Sequence, residues 1–508
     1  MQSTIARRTS EVKDSSNKSV IKRPGITDRP VRFRCFLNNT IYEVLKNRGW
    51  QEVAEGSTDW DFNWCDVGSV KENFDHMYLQ EHMRINHFRN HYELTKKNLV
   101  IKNLRRMRKQ IEREKGKDAG LGSSIIDNNW DFFPTSYELP SEYHMFVEEF
   151  KRAPPGAVWI MKPAGRAQGK GIFLFRQLKQ IMDWKKVANA GGGSSGGTSG
   201  GSSSGATGTD APGITTSSSG DPMIETYVVQ RYLDNPYLIN GRKFDLRVYC
   251  LVTSYNPLRV WVYREGFARL TNTRFTLDSL DDTYVHLTNV AVQKTAPDYD
   301  PDRGAKWSMQ RLREYLTAKH GWQAVRELLK QIDGIFLKSL LSVQKLIIHD
   351  KHCFEMYGYD VLIDNTLKPW LIEINASPSL TASSKEDYEM KCRLLDDMAS
   401  VIDMEGRLSG KERRVGSFDL IHDEKGIVGL EEVGIDVVPQ SQYNINSFLG
   451  GDTSDRKVAL RRAYREARVS ILKEQSKSTT NTAATNQQQQ QQTSSDKVPL
   501  SMTHSTPS

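Results

Sequence analysis

The chain has 508 residues, and its 70 lysines and arginines outnumber its 62 aspartates and glutamates, which gives a formal net charge of +8. No window contains the roughly 20 consecutive apolar residues of a membrane-spanning helix, and the first 16 residues include no apolar run typical of a signal peptide. We therefore expect an intracellular protein that does not enter a membrane. The five cysteines form no C-x-x-C pair, so neither a disulfide framework nor a structural zinc site is indicated.

Three segments are too polar to belong to a folded core. Residues 1–28 predict a disordered arm, residues 189–221 consist almost entirely of Gly, Ser, Thr and Ala, and residues 476–508 contain a run of glutamines. Such segments bury too little apolar surface to offset the entropy that they would lose on ordering. The sequence therefore predicts a folded domain over residues 29–405 with a disordered insertion, an extension over residues 406–475 that carries a basic helix, and a disordered tail.

The folded part mixes strands and helices without a regular alternation. Apolar or β-branched runs predict strands at residues 157–163, 171–175, 224–233, 245–254, 258–266, 357–364 and 369–377. Helical spacing of apolar residues predicts helices at residues 144–152, 306–321 and 332–349. The first two strands are expected to pair as a hairpin. This order of elements indicates an antiparallel α+β fold rather than repeated β-α-β units.

A glycine-rich loop over residues 162–171 joins the first two strands. Its three glycines allow backbone N–H groups to approach a phosphate closely, and its three cations neutralise that phosphate. A P-loop is excluded because only three residues separate Gly165 from Gly169, Gly171 follows the lysine, and a strand comes next. The loop therefore predicts a nucleoside triphosphate site, and the alternative is a hairpin turn with surface lysines.

Two acidic residues should meet where the last two predicted strands form a hairpin. Directly opposed residues of an antiparallel hairpin have a constant sum of residue numbers, and opposing Asp360 to Glu373 places the hairpin centre in the predicted turn. Asn375 follows on the same face, two residues along. These all-oxygen ligands suit Mg²⁺ with substrate phosphates. The alternative is a solvated sheet face, although like charges directly opposed are destabilising without a cation.

Five motifs occur in a fixed order along the chain. They are Lys162 with residues 168–171, and then residues 230–233, 241–247, 286–289 and 373–379. Together they resemble the tubulin–tyrosine ligase-like family, over about residues 30–405. Three further segments, at residues 61–67, 87–94 and 350–355, most resemble the polyglutamylases of that family.

The resemblance implies an ATP-grasp-like catalytic domain around an antiparallel-sheet nucleotide cleft. Its N-terminal lobe would span about residues 29–150, its central lobe 151–245 and its C-terminal lobe 246–405. The implied activity is ATP- and Mg²⁺-dependent addition of free glutamate to glutamate side chains in the acidic C-terminal tails of tubulin. Accessory polyglutamylase subunits are expected partners. The expected locations are the cytoplasm, the cytoskeleton, and the axoneme and basal body of a cilium or flagellum.

Carried over position by position, the resemblance assigns roles to individual residues. The expected ATP contacts are Lys162, Gln168, Gly169, Lys170, Gly171, Gln230, Arg231, Tyr232, Leu233, Lys243, Phe244, Asp245, Thr288 and Asn289. The expected Mg²⁺ ligands are Asp360, Glu373 and Asn375. The expected catalytic residues are Arg247, Arg269 and Glu373. The expected contacts of free glutamate are Arg269, Lys306 and Lys391.

Some residues also have structural interpretations. Arg247 lies on a strand of alternating pattern and, without the resemblance, equally suits a solvated face or a structural ion pair. His286 precedes a turn and is expected to be structural, so it is left out of catalysis. Four tryptophans lie among apolar neighbours and are expected in the core: Trp60, Trp64, Trp130 and Trp159.

Two segments outside the motifs are strongly basic. Residues 102–117 hold eight cations and two acids, and residues 456–468 hold six cations and one acid. Four apolar residues place the first segment on an amphipathic helix: Leu99, Leu104, Met107 and Ile111. Its basic side would attract an acidic tail or lattice, or is merely solvated. Nucleic acid is not an expected partner, because no RNA- or DNA-binding motif accompanies these segments.

Two other functions stay open on the sequence alone. One is a catalytically silent microtubule-binding subunit that keeps the fold, although retention of Asp360, Glu373 and Asn375 argues against it. The other is a ligase of the same fold that adds glycine or tyrosine.

Overall fold

The computed structural model describes residues 29–54, 56–115, 130–181, 215–216, 222–223, 225–297, 299 and 306–428. The predicted N-terminal arm, most of the predicted insertion, the basic segment 456–468 and the glutamine-rich tail lie outside these residues. Among the residues described, every helix is too short or too polar to cross a bilayer. All five cysteines are free thiols.

The N-terminal sheet is parallel, and the antiparallel prediction is wrong for this part of the chain. Its order is β2-β1-β3-β4, with β1 at Arg32–Cys35, β2 at Gln51–Glu52, β3 at Phe62–Trp64 and β4 at Arg84–Ile85. Helix α1 (Thr40–Asn47) joins β1 to β2, and α2 (Val67–Asn73) with the 3₁₀ turn Phe74–His76 follows β3. Helical crossovers of this kind join parallel strands, and strands this short show no alternating pattern to predict.

The central sheet is antiparallel and has the order β5-β10-β6-β7. Its strands are β5 (Ser136–Leu139), β6 (Trp159–Pro163), β7 (Phe173–Phe175) and β10 (Tyr227–Arg231). The predicted hairpin of β6 with β7 is confirmed. Helix α5 (Tyr143–Arg152) matches the predicted helix and packs on a core around Phe146 and Trp159. After the 3₁₀ turn Leu178–Ile181, β8 (Thr215–Thr216) and β9 (Pro222–Met223) form a separate short ladder.

The largest sheet has nine strands among the described residues. Its main path is β16-β15-β12-β13-β18-β17, and β11, β14 and β19 pair at its edges. The strands are β11 (Leu238–Ile239), β12 (Arg242–Tyr255), β13 (Leu258–Leu270), β14 (Lys306–Ser308), β15 (Glu355–Ile363), β16 (Pro369–Asn375), β17 (Arg414–Val415), β18 (Phe418–Asp423) and β19 (Gly426–Ile427). The sheet therefore continues beyond residue 405, the predicted end of the folded domain.

Both faces of this sheet are covered, so its long strands are buried along most of their length. Alternate residues of β12 enter different cores. Val248 and Cys250 face a core shared with α4 (Lys97–Lys115) and α8 (Met309–Val343), whereas Tyr249 faces a core shared with α1 and α9 (Lys385–Ile402). The four tryptophans predicted to be core residues are all buried: Trp60, Trp64, Trp130 and Trp159.

Two predicted helices, at residues 306–321 and 332–349, correspond to parts of α8, which follows directly after a short strand. The prediction of helix from residue 306 is wrong, because Lys306–Ser308 forms β14 and the Ser308 side chain caps helix α8, which begins at Met309. Residues 309–343 are interrupted at Gly321, where φ is +79°, a conformation that favours glycine. Three short helices complete the described chain: α3 (Tyr92–Thr95), α6 (Thr283–His286) and α7 (Val290–Gln293).

Candidate active site

The carboxylate pair predicted from the hairpin is present. Asp360 on β15 lies directly opposite Glu373 on β16, and the register shifts at a bulge immediately after Asp360. Asn375 follows on the same face, with its Nδ2 3.4 Å from Glu373 Oε1. The three predicted metal ligands are therefore neighbours on one sheet face.

Two arginines, on β12 and β13, bind Asp360. Arg247 lies opposite Asp360 and donates from Nε to Oδ1 at 2.6 Å and from Nη2 to Oδ2 at 3.1 Å. Arg269 donates from Nη2 to Asp360 Oδ2 at 2.7 Å and from Nε to Asp245 Oδ1 at 2.8 Å. Arg247 therefore forms an ion pair, one of its two structural interpretations, and its partner is a predicted metal ligand.

The environments of the two carboxyls push their pKa values apart. Burial acts to raise the pKa of Asp360, but the positive charges of Arg247 and Arg269 outweigh burial and hold this pKa well below its ordinary value. The pKa of Glu373 is raised, first by burial and then by the negative charge of Asp360. A cation between the two carboxyls would relieve the repulsion that raises the pKa of Glu373.

The glycine-rich loop is a hairpin connection between β6 and β7. Three of its residues have positive φ: Gln168 (62°), Gly169 (83°) and Gly171 (71°). A Cβ on Gly169 would lie 2.8 Å from Cγ2 of Val292, so only glycine allows the loop to pack so closely on α7. The loop thereby approaches the segment that carries Thr288 and Asn289.

Lys162 is a buried cation at the start of this loop. Its Nζ donates to Gln230 Oε1 at 2.6 Å, and Gln230 Nε2 in turn donates to Ser136 Oγ at 3.0 Å. Burial lowers the pKa of Lys162 to about 8. An anionic phosphate beside Nζ would replace the lost hydration and favour the charged ammonium.

Lys243 is a second buried cation, and neighbouring groups hold it in place. Its Nζ donates to the Tyr232 hydroxyl and to the His286 carbonyl, both at 2.9 Å. His286 Nδ1 lies 3.0 Å from the same hydroxyl, and His286 Nε2 lies 2.8 Å from the Ser279 carbonyl oxygen. Burial lowers the pKa of Lys243 to about 7. His286 thus has the structural role that the sequence predicted.

One cleft brings most of the predicted nucleotide contacts together. The predicted ATP contacts that line it are Lys162, Gln168, Gly169, Gln230, Arg231, Tyr232, Leu233, Lys243, Asp245, Thr288 and Asn289. Asp360 and Glu373 line the same cleft. Lys162 and Lys243, the lysines predicted to bind phosphate, therefore line the same cleft as the carboxylate pair.

Phe244 does not line this cleft, contrary to the prediction. Its ring is fully buried in the core and packs against Tyr237. The reason is the alternation of β12, because Lys243 and Asp245 face the cleft and the residue between them must point the other way. Lys170 and Gly171 are exposed in the loop and are not among the residues that line the cleft.

A second, larger cavity of about 770 Å³ adjoins the cleft, and Thr288 lines both. Arg269 and Lys306 line this cavity and lie opposite each other on β13 and β14. Lys306 Nζ donates to Asp387 Oδ2 and to Ser383 Oγ, each at 2.6 Å. The two predicted glutamate contacts are therefore side by side in a space next to the nucleotide cleft.

Lys391, the third predicted glutamate contact, does not line either cavity. It is buried behind Asp387, with its Nζ 3.1 Å from Asp387 Oδ1, and it donates to the Thr381 carbonyl at 2.6 Å. Burial acts to raise the pKa of Asp387, but Lys306 and Lys391 outweigh it and lower this pKa. In this arrangement Asp387 lies between Lys391 and the larger cavity.

Sequence reasoning missed two residues of the site. Lys97, at the start of α4, lines the nucleotide cleft and donates from Nζ to the Arg166 carbonyl of the glycine-rich loop at 2.9 Å. Asp387, near the start of α9, links Lys306 to Lys391. Neither residue belongs to a recognisable motif, and only the packing of distant segments brings them here.

The residues present fit a divalent cation. Two carboxylates and an amide supply oxygen donors, and the raised pKa of Glu373 marks a repulsion that a cation would remove. No group of three or more His, Cys, Asp or Glu side chains suited to a metal occurs among the residues that the structure describes. A Mg²⁺ site here would therefore depend on substrate phosphates for its remaining ligands.

An α+β fold with a glycine-rich hairpin loop beside a carboxylate-bearing sheet corresponds to the ATP-grasp-like class that the motifs predicted. The chain belongs to the tubulin-tyrosine ligase family, whose sequence model matches residues 75–407. The predicted family is therefore confirmed.

Curated relatives align with this chain over most of their own length. The probable tubulin polyglutamylase TTLL9 of Rattus norvegicus is 56% identical over 447 residues, which cover 86% of this chain and 93% of the relative. The probable tubulin polyglutamylase ttll-9 of Caenorhabditis elegans is 45% identical over 423 residues, covering 83% and 92%. The probable alpha-tubulin polyglutamylase Ttll1 of Tetrahymena thermophila is 42% identical over 392 residues, covering 74% and 89%.

Proposed function

We propose that this chain is an ATP-dependent tubulin–glutamate ligase that adds glutamate to glutamate side chains in tubulin C-terminal tails. The observation that carries the proposal is the junction of two cavities at Thr288, one with Lys162, Lys243 and the carboxylate pair, the other with Arg269 and Lys306. The relatives named as tubulin polyglutamylases support tubulin and glutamate as the substrates.

The proposed chemistry first activates a carboxylate, because a carboxylate anion is a poor electrophile. The side-chain carboxylate of the acceptor glutamate attacks the γ-phosphorus of ATP, which forms an acylphosphate and releases ADP. The amine of free glutamate, after losing a proton, then attacks the acyl carbon. An isopeptide bond forms, the bond to the phosphate oxygen breaks, and inorganic phosphate leaves.

Each group of residues in the site has a separate proposed role in this reaction. Lys162 and Lys243 neutralise the nucleotide phosphates, and Arg269 stabilises the negative charge that develops during transfer and attack. Arg247, which lines neither cavity, positions the Asp360 carboxylate. Lys306, held by Asp387, binds a carboxylate of the incoming glutamate. When bound, Mg²⁺ would be held by Asp360, Glu373 and Asn375 and would neutralise phosphate oxygens.

The proposal is tested by incubating the purified chain with tubulin and ATP in three parallel reactions. Labelled glutamate, glycine and tyrosine are supplied separately, and mass spectrometry of the tubulin tails identifies each product. We expect each addition to raise the mass of a tail by one glutamate residue and to lie on a tail glutamate. Incorporation of glycine or tyrosine instead would show a different ligase, and no incorporation of any of the three would favour a silent microtubule-binding subunit.

We expect ATP affinity to fall with rising pH. The pKa values of about 8 for Lys162 and about 7 for Lys243 mean that both ammonium groups lose their protons at alkaline pH, whereas bound phosphates favour the protonated forms. Above its pKa, the protonated fraction of each lysine falls by up to about tenfold per pH unit. The Kd for ATP should therefore rise by about tenfold or more between pH 7.5 and pH 9. Calorimetry at saturating Mg²⁺ measures this change and the accompanying proton uptake.

Lys243→Arg is the matched variant for this experiment. Arginine stays protonated throughout the range, so the variant should lose the part of the pH dependence that Lys243 contributes. A Kd that does not change with pH in the unaltered protein would contradict the assigned contacts of both lysines.

The outer side of α4 suits an acidic partner. Lys102, Arg106, Lys109 and Arg113 are exposed and recur at helical spacing on one stripe, while the predicted apolar face packs inward through Leu104, Met107 and Ile111. Leu99 is only half-buried. Because long-range attraction raises encounter rates, this stripe would steer acidic tubulin tails or the microtubule lattice toward the site.

Neutralising this stripe with Lys102→Gln, Lys109→Gln and Arg113→Gln should lower kcat/KM for tubulin by about tenfold at low salt. The difference should shrink at 0.5 M salt, where exposed charges are screened, and the KM for ATP should stay the same. The control carries Lys46→Gln, Lys151→Gln and Lys319→Gln, which remove the same charge elsewhere. Equal losses in the two proteins would contradict a specific role of α4.

The proposed location follows from the proposed substrate. Tubulin tails are presented on microtubules, so we propose that the chain works in the cytoplasm and cytoskeleton, including the axoneme and basal body of cilia or flagella. We also propose that accessory subunits assist it, and co-purification from ciliated cells tests both points.

A further inference from the structure

The hairpin of β17 and β18 has no role in the mechanism above, and it lies beyond the residues that match the family. All six residues of β18 are buried, and β18 pairs with the first half of β13, from Val260 to Tyr263. Phe418 packs on Tyr263 with ring centroids 4.8 Å apart. The hairpin is therefore an integral part of the large sheet.

The edge of β13 carries two strands with a gap between them. β18 covers residues 260–263, and β14 covers residues 267–269. The residues in the gap, Arg264, Glu265 and Gly266, line the larger cavity, and so does Ser417 in the turn between β17 and β18. The turn of the hairpin thus contributes Ser417 to the lining of the cavity that also contains Arg269 and Lys306.

The turn of the hairpin fixes the guanidinium of Arg264. The backbone N–H and Nε of Arg264 both donate to the Ser417 carbonyl, at 2.9 Å and 3.2 Å, and Nη2 donates to the Gly416 carbonyl. Asp419 lies 3.8 Å from Arg264 Nε but only 2.7 Å from Arg414 Nε. Two backbone carbonyls of the turn thus place the Arg264 guanidinium at the cavity in a defined orientation.

The turn is itself locked against α9. Gly416 has a φ of +53°, and a Cβ at this position would lie 1.9 Å from Asp397 Oδ1. The Ser417 N–H donates to Asp397 Oδ2 at 2.8 Å. No side chain fits at residue 416 without displacing Asp397, so the carbonyls that hold Arg264 have a defined position.

The cavity has more positive charge than one free glutamate requires. Six cations line it against three carboxylates, and Arg269 with Lys306 already accounts for the carboxylates of an incoming glutamate. The remaining cations are Arg264, Arg311, Arg313 and Arg393. We infer that Arg264, positioned by the turn at residues 416–417, belongs to a subsite that binds carboxylates flanking the acceptor glutamate of an acidic peptide. This inference rests on the proposed function and specifies its substrate class.

The test compares two peptides that each carry one acceptor glutamate. In the first, the neighbouring residues are aspartates, which carry the negative charge without being acceptor glutamates, and in the second they are asparagines. The full chain, Arg264→Gln and Arg264→Lys are assayed for binding by fluorescence anisotropy and for ligation with ATP and glutamate. Arg259→Gln, on the same strand but lining a different cavity, is the charge-matched control.

We expect the full chain to prefer the acidic peptide by about tenfold in Kd and KM, a typical effect of close charge pairs. Arg264→Gln should reduce this preference by about threefold or more without changing the KM for ATP, Arg264→Lys should restore part of it, and Arg259→Gln should leave it intact. A merely structural defect would weaken both peptides equally.

An unchanged preference in Arg264→Gln, or an equal loss in Arg259→Gln, would overturn the inference. Failure of the proposed function looks different, because the full chain would then bind the acidic peptide with an Arg264-dependent preference and incorporate no glutamate. Thermal unfolding of each variant shows whether a loss of binding reflects unfolding. If Arg264→Gln is unfolded, the peptide preference of Arg264→Lys decides the outcome.

Discussion

Replacing Glu373 with alanine or glutamine is expected to lower ligation by about 100-fold or more while leaving the protein folded. Glu373 is one of two carboxylates proposed to hold Mg²⁺, so its loss removes stabilisation of charge on the phosphates during transfer. The raised pKa of Glu373 also means that its ionised form is disfavoured in the folded protein. We measure glutamate incorporation into tubulin and thermal unfolding of both variants.

The stability of the glutamine variant follows from the sign of this pKa shift. A carboxyl whose pKa is raised on folding costs stability where it is ionised, so Glu373→Gln should be at least as stable as the unaltered protein at pH 7. The difference should shrink as the pH falls and Glu373 becomes protonated. Glu148→Gln, an exposed carboxyl on α5, is the control and should change neither property. Near-normal ligation by Glu373→Ala would reject the metal assignment.

Replacing Asp360 with asparagine is expected to abolish ligation and, in contrast, to destabilise the fold by about 3–5 kcal/mol, the usual result of removing one partner from a buried ion pair. Arg247 and Arg269 both donate to Asp360, and Arg247 has a side-chain exposure of only 12%. Without the carboxylate, two buried guanidinium groups face each other with Asp245 as the nearest compensating charge. Chemical denaturation measures the free energy of unfolding.

The control for this variant is Asp131→Asn. Asp131 pairs with Lys368 at 2.7 Å, but its side chain is 56% exposed, so the loss should stay below about 1 kcal/mol. Because the pKa of Asp360 is lowered on folding, its contribution to stability should disappear in the unaltered protein as the pH falls through that lowered pKa. If Asp360→Asn is as stable as the control, the proposed role of the buried ion pairs of Asp360 with Arg247 and Arg269 is contradicted.

The two variants together separate metal binding from folding. Both remove one oxygen ligand of the proposed site, yet only Asp360 neutralises the arginines of the sheet. The geometry predicts that Glu373→Gln and Asp360→Asn both lose activity and that only Asp360→Asn is destabilised.

The sequence by itself determined the features that depend on neighbouring segments of chain. The opposition of Asp360 and Glu373 follows from counting along one hairpin, and the β6–β7 connection follows from two apolar runs around a glycine-rich loop. In both cases the turn fixes the register, so no distant contact is needed. The five motifs in order were also sufficient to identify the family.

The tertiary structure alone decided what depends on the order of strands and the packing of distant segments. Arg247, Arg269 and Asp360 meet because β12 lies between β13 and β15, which no local pattern specifies. The same applies to Lys97 in the nucleotide cleft and to Lys391 behind Asp387. The parallel N-terminal sheet and the hairpin beyond residue 405 were missed because strands of two to six residues without clear alternation are stabilised by their neighbours rather than by their own sequence.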